Sequence, residues 1–437
     1  MTNPYESRSV CICVSGDIGH SPRMQYHSLS LANIGFHVDI VADQESRPHE
    51  QLLSNPRIRI YPLSSYQSIK CFPKFVNYFF KILFNTIFLL WNLMLIPRPD
   101  YILVQNPPSV PTLIIVWFVC RIRSSKFIID WHNYGYTILA LSLGEKHLLV
   151  RLYSRLEFNF GKRSDYNFCV TRSMKDDLRK RIGKKAIVLY DRPYSFFQPL
   201  TSNEDKHLFL EKLQSEYSQL EYHGQNETLF TRYSFKNDEY QLKPNRPVIL
   251  MSSTSWTKDE DFQILLDALY EFDQNYAEKL ICTDNDLKII CFITGKGPMK
   301  QHYIRMVEHS YSFRYTRFVF PWLSAEDYPK LLACADLGVC LHKSSSGLDL
   351  PMKVLDMFGA RLPVCAYRYQ SISELVIEEQ YGLLFNDSAT LVQCMMRLLQ
   401  DFPICLELKR MQKNIDSSFN GIDWHSNWKT NALPVFK

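Results

Sequence analysis

The sequence predicts an α/β chain made of two consecutive domains, each built around its own parallel sheet. Three observations carry that expectation. A length of 437 residues with 46% hydrophobic and 22% charged residues exceeds one ordinary core and suffices for two. Short apolar runs alternate with helix-length segments, the pattern of parallel sheets whose ligands gather at the carboxyl ends of strands. These runs also fall into two series, separated by a polar stretch.

The first series is Val10–Ser15, Val38–Val41, Ile58–Tyr61, Tyr101–Val104, Phe127–Asp130, Asn167–Val170 and Ala186–Leu189. The second is Val248–Ser252, Leu287–Thr294, Phe318–Phe320, Leu337–Leu341 and Leu362–Ala366. Residues 201–247 between them are polar, poor in β-branched side chains, and end in Lys-Pro-Asn-Arg-Pro, which reads as a helical insertion plus linker. The expected layout is a first domain over 1–200, the insertion over 201–247, a second domain over 248–418, and a tail over 419–437 for which packing back on the first domain is one outcome. An interdomain cleft is then the default site.

The net charge of +5 is small for this length and implies no nucleic-acid partner, although Lys175–Lys185 and the trio Arg121, Arg123 and Lys126 suit either solvated helix faces or anionic lipid. Twelve cysteines include no C-x-x-C pair, and several sit inside strand-like runs, as buried thiols of a reducing compartment do. Residues 1–9 are polar and do not read as a signal peptide.

The segment Phe75–Ile96 stands apart. On a helix its polar residues Asn77, Lys81, Asn85 and Asn92 fall within an arc of roughly 80°, leaving nearly everything else apolar. A single membrane crossing would place parts of one sheet on opposite sides of the bilayer. Two readings remain: a helix lying in the membrane interface with Lys70, Lys74 and Arg98 near headgroups, or a helix buried against neighbours such as Leu113–Val119.

The loops after the strands hold the chemistry. Gly16-Asp17-Ile18-Gly19-His20-Ser21-Pro22-Arg23 follows the first strand, with glycines for close approach, Ser-Pro for a helix start and Arg23 as a forked phosphate donor. Asp130-Trp131-His132-Asn133-Tyr134-Gly135 places an imidazole at another strand end. Ser252–Asp261 and Thr294-Gly295-Lys296-Gly297-Pro298 bring hydroxyls, glycines and lysines suited to a pyrophosphate. Ser344–Gly359 is Ser- and Gly-rich, and its Asp349 and Asp356, seven apart, would face one ligand if both lay on a helix. No D-x-D pair stands at a strand end between the two series, so no divalent metal and no cofactor is expected.

Taken together, GDIGHSPRMQYHSLSLA, QNPPSVP, IDWHNYGY, SSTSWTKDEDF, ITGKGP, PWLSAEDYP and DLGVCLHKSSSGLDLPMKVLDMFG make the chain resemble the chitobiosyldiphosphodolichol β-mannosyltransferases of the dolichol pathway, from about residue 9 to the tail. The resemblance implies a GT-B fold of two Rossmann-like domains. It also implies inverting transfer of mannose from GDP-mannose to the 4-hydroxyl of the terminal GlcNAc of dolichyl-diphospho-chitobiose, at the cytosolic face of the endoplasmic reticulum membrane. Other mannosyltransferases of that pathway are implied as possible partners.

On that resemblance the general base is Asp17, with His132 next, either as base or on the mannose hydroxyls, and His20 third. Asp356 is assigned to the ribose, Lys353, Lys296 and Thr254 to the pyrophosphate, and Asp349 to mannose, with Lys258, Gly295, Gly297, Ser345, Ser346 and Gly347 lining the donor. Gly16, Gly19, Ser21, Arg23 and Asn106 are assigned to the acceptor side. Two departures stand out. Family members usually open with a hydrophobic anchor, whereas this chain reaches its first strand within ten residues of Met1. Against the retaining GT-B pattern of two glutamates eight apart, Asp356 takes the second place, but the first falls on Leu348 with Asp349 beside it. A retaining enzyme acting on another lipid-linked sugar and a non-catalytic scaffold subunit are the competing readings.

Overall fold

The computed structural model describes residues 8–63, 73–194, 196–224, 226–257, 260–279, 287–419 and 424–437. The chain divides into two units, Met1–Asp191 with Trp424–Lys437, and Arg192–Asp423.

In the first unit, β1 (Ser9–Asp17), β2 (His37–Asp43), β3 (Ile58–Pro62), β4 (Tyr101–Asn106), β5 (Lys126–Trp131), β6 (Tyr166–Cys169) and β7 (Ile187–Val188) form one parallel sheet in the order β3-β2-β1-β4-β5-β6-β7. The helices are α1 (Pro22–Asn33), α2 (Glu50–Leu53), α3 (Lys74–Leu95), α4 (Thr112–Arg123), α5 (Gly135–Leu143), α6 (Leu148–Gly161) and α7 (Arg172–Ile182). Central strands covered on both faces need continuous apolar runs, and Val10–Val14 are accordingly buried throughout. Burial pushes the Cys13 thiol up to about 12. Strand order reverses between β1 and β4, which puts the ligand crevice of such a sheet at their carboxyl ends.

In the second unit, α8 (Asn203–Glu216) and the antiparallel hairpin β8 (Thr231–Ser234) and β9 (Glu239–Leu242) precede a second parallel sheet. Its strands are β10 (Val248–Ser253), β11 (Ile289–Thr294), β12 (Thr316–Val319), β13 (Leu337–Cys340), β14 (Val364–Tyr367) and β15 (Gly382–Phe385), in the order β12-β11-β10-β13-β14-β15. Its helices are α9 (Phe262–Asn275), α10 (Lys300–His309), α11 (Asp327–Cys334), α12 (Met352–Gly359), α13 (Ser388–Leu398) and α14 (Leu406–Phe419). The last helix, α15 (Trp424–Asn431), belongs to the first unit, where the Trp424 and Trp428 indoles donate to Ser30 and His27 of α1.

Three features differ from the sequence expectation. The first unit ends at Asp191 rather than residue 200, because Phe197 is buried with the second core and lies against Gly359. The 201–247 stretch is a helix plus a hairpin, whose short polar strands hid their alternation. β15 also escaped notice: its start, Gly382, lies so close to Val364 that a Cβ would fall 2.0 Å from the Val364 carbonyl oxygen.

Helix α3 is anchored at its carboxyl end. Leu89, Leu93 and Ile96 are buried, and Arg123 closes its last turn by donating to the carbonyls of Leu93 and Ile96. Phe80, Ile82, Leu83, Ile87 and Trp91 are exposed, so the helix is not enclosed by neighbours. Lys70 lies outside the described residues. Among the described residues no helix is long and apolar enough to cross a membrane.

Candidate active site

At the carboxyl edge of the first sheet, Asp17 caps the turn Ile18–His20. Its carboxylate accepts from the backbone N–H groups of Gly19, Glu45 and Ser46 at 3.1–3.2 Å and lies 2.8 Å from His20 Nδ1. Burial raises its pKa, but the Ser46 and Gly19 donors and the His20 charge together hold it below the usual aspartate range. Donors on both oxygens oppose proton uptake there and set Asp17 at a disadvantage as a base, although the sequence ranks it first. Gly19 is required because a Cβ there would lie 2.7 Å from the Ser46 carbonyl oxygen, whereas a Cβ on Gly16 would face open space. The Ser21 hydroxyl donates to the Asp17 carbonyl at 3.0 Å.

Arg23 is only 4% exposed. It grips Asp130 through Nε and Nη2 at 2.7 and 2.9 Å, while Nη1 donates to Asp191 and the Leu189 carbonyl. Desolvation opposes its charge, but Asp130 and Asp191 raise its pKa above the ordinary value. The guanidinium is a structural cation and does not reach an acceptor phosphate, a correction. Asn106 is a second: it is fully buried, with its amide donating to the Asn133 carbonyl and Glu157 and accepting from Ser109.

One group of this network turns outward. His132 is 23% exposed, and its Nε2 lies 2.9 Å from Asp130 Oδ2. Although buried, Asp130 is held well below the ordinary carboxylate range by Arg23 and His132, so it is ionised and its partner nitrogen carries the proton. That leaves Nδ1 with its lone pair, and among the described residues nothing hydrogen-bonds to it. Neutral His27, whose Nδ1 accepts from Trp428, approaches the same carboxylate at 3.2 Å.

At the carboxyl edge of the second sheet, Glu260 is the organiser. It accepts from the Thr254 hydroxyl, from Ser255 N–H at 2.8 Å and from the Lys353 ammonium. Thr254 also accepts from Trp256 N–H at 2.8 Å, so its hydroxyl shapes the loop and is not available to a pyrophosphate. The next loop presses on this one. A Cβ on Gly295, whose φ is +124°, or on Gly297 would lie 1.8 Å from the Thr254 or Ser255 carbonyl oxygen, so loop contact explains both glycines before any ligand does. Lys296 is exposed and stands 3.7 Å over the Trp322 ring. Lys258 lies outside the described residues.

The Ser-rich loop is tied to itself. Ser344 Oγ accepts from Gly347 N–H and donates to Asp349, Ser346 Oγ accepts from Leu348 N–H, and His342 Nε2 lies 3.2 Å from Asp349. Ser345 sits in this loop, and Gly347 supplies its positive φ of +74°. Pro351 starts α12, and a residue before proline is biased away from helix, so Asp349 lies outside the helix that carries Asp356. The two acids therefore do not share a helix face, a further correction. Asp356 differs in kind: it is half-buried, its carboxyl has no hydrogen-bond partner among the described residues, and desolvation pushes it up to about 8 against the pull of Lys353. Tyr328, bound to Ser253 at 2.8 Å, is its polar neighbour.

Asp130, Glu157, Glu260 and Tyr328 carried no assigned role in the sequence. For Asp130 the signal was its place near the end of β5, two positions before His132. Among the described residues no group of three or more His, Cys, Asp or Glu side chains could hold a metal ion.

Two doubly wound parallel units, each collecting polar side chains at its carboxyl edge, define a GT-B glycosyltransferase. The solved structure of sucrose-phosphate synthase from Thermosynechococcus elongatus shares this fold, with a TM-score of 0.65 at 13% identity over 98% of this chain and 97% of that one. The family described as "Glycosyltransferase Family 4" matches residues 23–190, and that described as "Glycosyl transferases group 1" matches 246–401. The human chitobiosyldiphosphodolichol beta-mannosyltransferase is 43% identical, covering 98% of this chain and 92% of its own. An Arabidopsis thaliana relative named UDP-glycosyltransferase TURAN is also 43% identical, covering 97% and 96%. The chain belongs to the chitobiosyldiphosphodolichol beta-mannosyltransferase family.

Proposed function

We propose that the chain transfers mannose from GDP-mannose to the 4-hydroxyl of the terminal GlcNAc of dolichyl-diphospho-chitobiose, at the cytosolic face of the endoplasmic reticulum membrane. The observation that carries the reading is the similarity to the human enzyme along nearly the whole of both chains. GDP-mannose is an α-glycoside and the named product is β, so a single displacement with inversion suffices. The acceptor oxygen attacks C1 of mannose, its proton passes to His132 Nδ1, and the C1–O bond to GDP breaks with the electron pair leaving on the diphosphate.

His132 is favoured as the base because Asp130 fixes its tautomer and stabilises the imidazolium that forms, the arrangement that makes histidine effective near neutral pH. In the second unit we assign Asp356 to the ribose diol, because an unpartnered, desolvated carboxyl gains most from two hydroxyl donors. Lys353 and Lys296 supply cationic stabilisation to departing GDP, without a divalent metal. The chain acts on a lipid-linked sugar from the membrane surface, with the exposed apolar face of α3 in the lipid interface.

The test is purified protein with dolichyl-diphospho-chitobiose and GDP-mannose, reading β-mannosyl product and GDP release with and without EDTA. A product with retained anomeric configuration, or no product at all, overturns the reading. The name of the Arabidopsis relative favours a UDP-sugar as second donor reading. Turnover with UDP-mannose or UDP-N-acetylglucosamine exceeding that with GDP-mannose would establish it.

A further inference from the structure

Helix α5 is apolar around its whole circumference, yet Gly135 is its only buried residue. Every residue from 141 to 149 is exposed, including Leu148 at 76% and Leu141 at 60%. With Ile138, Leu143, Leu149 and Leu152, these side chains give both helices of the α5–α6 hairpin an exposed apolar surface on either side of the polar connection Gly144-Glu145-Lys146-His147. Isolated exposed leucines are ordinary, but a cluster of them at one end of a helical hairpin calls for a partner.

We infer that this hairpin, Gly135–Leu152, is a lipid-inserting element that docks the first unit on an anionic bilayer surface and sets the height of the His132 loop above it. Charge selects the partner. Along α3, α4, α5, α6 and the α5–α6 connection the only acids are Glu145 and the buried Glu157, while Lys81, Arg121, Lys146, Arg151 and Arg155 are exposed cations. Apolar tips fringed by bases suit acyl chains beneath anionic headgroups. Neighbouring helices extend the surface: α3 packs on α4, α4 on α6 and α6 on α5, and the first two also expose Trp91, Phe118 and Ile122.

The base of the hairpin is rigidly joined to the His132 loop. Glu157 accepts from Gly135 N–H at 2.8 Å and Tyr136 N–H at 3.2 Å, and also from Asn106 and Ser109. A Cβ on Gly135 would lie 2.7 Å from the Tyr153 ring, so α5 and α6 are locked where the hairpin leaves the sheet. Insertion of the tip therefore positions His132, three residues before α5, relative to the bilayer from which a lipid-linked sugar is presented. Only this positioning role rests on the acceptor proposed above; lipid binding does not.

The test is flotation of the full chain with phosphatidylcholine vesicles, with and without phosphatidylserine, comparing wild type, L141S/L148S/L149S, and the second-unit control I404S/L406S, whose residues are also exposed. The triple variant should lose at least about tenfold in vesicle partitioning, since three exposed leucines no longer enter the acyl region. The control should float like wild type, and phosphatidylserine should strengthen wild-type binding. Turnover on a short-chain soluble acceptor should be unchanged in the triple variant while turnover on the dolichyl acceptor falls. Unaltered flotation of the triple variant overturns the inference, as does a wild-type dimer that the same substitutions dissolve without affecting flotation. Should the triple variant unfold, L148S alone carries the same comparison. If wild type transfers no mannose yet floats through these leucines, the functional reading fails and the docking surface stands.

Discussion

The carboxyl edges of the two sheets solve different problems with similar residues. In the first unit the charged groups answer one another: Arg23 and Asp130 are buried together with Asp191 and neutral His27 beside them, Asp17 is engaged by backbone donors, and His132 Nδ1 has no hydrogen bond among the described residues. In the second unit Glu260 ties down Thr254 and Lys353, while the carboxyl of Asp356 stays unpartnered among the described residues. A proton acceptor has to be held in one orientation and tautomer, which a rigid network does. A carboxyl meant for hydroxyl donors has to be left wanting, which desolvation does. Polar residues at strand ends are therefore best sorted by which atoms remain unspent.

The largest effect should come from breaking the first network. Arg23→Ala leaves buried Asp130 without its guanidinium partner and half-buried Asp191 without its own, and losses from breaking a buried pair run to about 3–5 kcal/mol. Chemical denaturation should show it as a lower midpoint with unchanged slope. A midpoint matching wild type would mean that the cluster is solvated and does not position His132.

The second unit should respond in binding instead. Asp356→Ala should weaken GDP binding by the value of its ribose hydrogen bonds, about 0.5–1.5 kcal/mol each, with little change in unfolding temperature at acidic pH. Calorimetry with GDP against GMP separates this from pyrophosphate contacts, because both ligands keep the ribose and should lose affinity alike.

A smaller and pH-dependent signature sharpens the contrast. Asp356 keeps its proton in the folded chain up to about pH 8, whereas the unfolded chain releases it near the ordinary aspartate value of 3.8. Between those limits the folded state binds more protons, so this group makes stability fall as pH rises and adds no further slope above about 8. Asp356→Asn removes that slope: relative to wild type it should gain stability from pH 5 to pH 8. Parallel pH–stability curves would show that the carboxyl is already ionised in the free chain.

Both sheets were legible in the sequence because strands buried on two faces must be written as apolar runs, such as Val10–Val14 and Val248–Met251. The 231–242 hairpin was not, since its strands are short, polar and only partly covered. For the site, loop positions could be read but partners could not. Arg23 looks like a phosphate donor until Asp130, more than a hundred positions later, is seen in its fork. Asp17 looks like a base until the Ser46 backbone is seen to fill its lone pairs. Glu260 gave no local sign that it would meet Lys353. Long-range hydrogen bonds decide which polar atoms are spent, and residue spacing does not encode them.

The central claim is that the first unit reserves one proton acceptor, His132, and that Asp17 serves its loop. Turnover of His132→Ala and Asp17→Asn, each at saturating GDP-mannose and dolichyl-diphospho-chitobiose, tests it most directly. His132→Ala should lose about 10²–10⁴ in turnover with GDP affinity preserved, while Asp17→Asn, properly folded, should keep most of its turnover. A dead Asp17→Asn variant beside a His132→Ala variant of near-normal turnover would contradict the account.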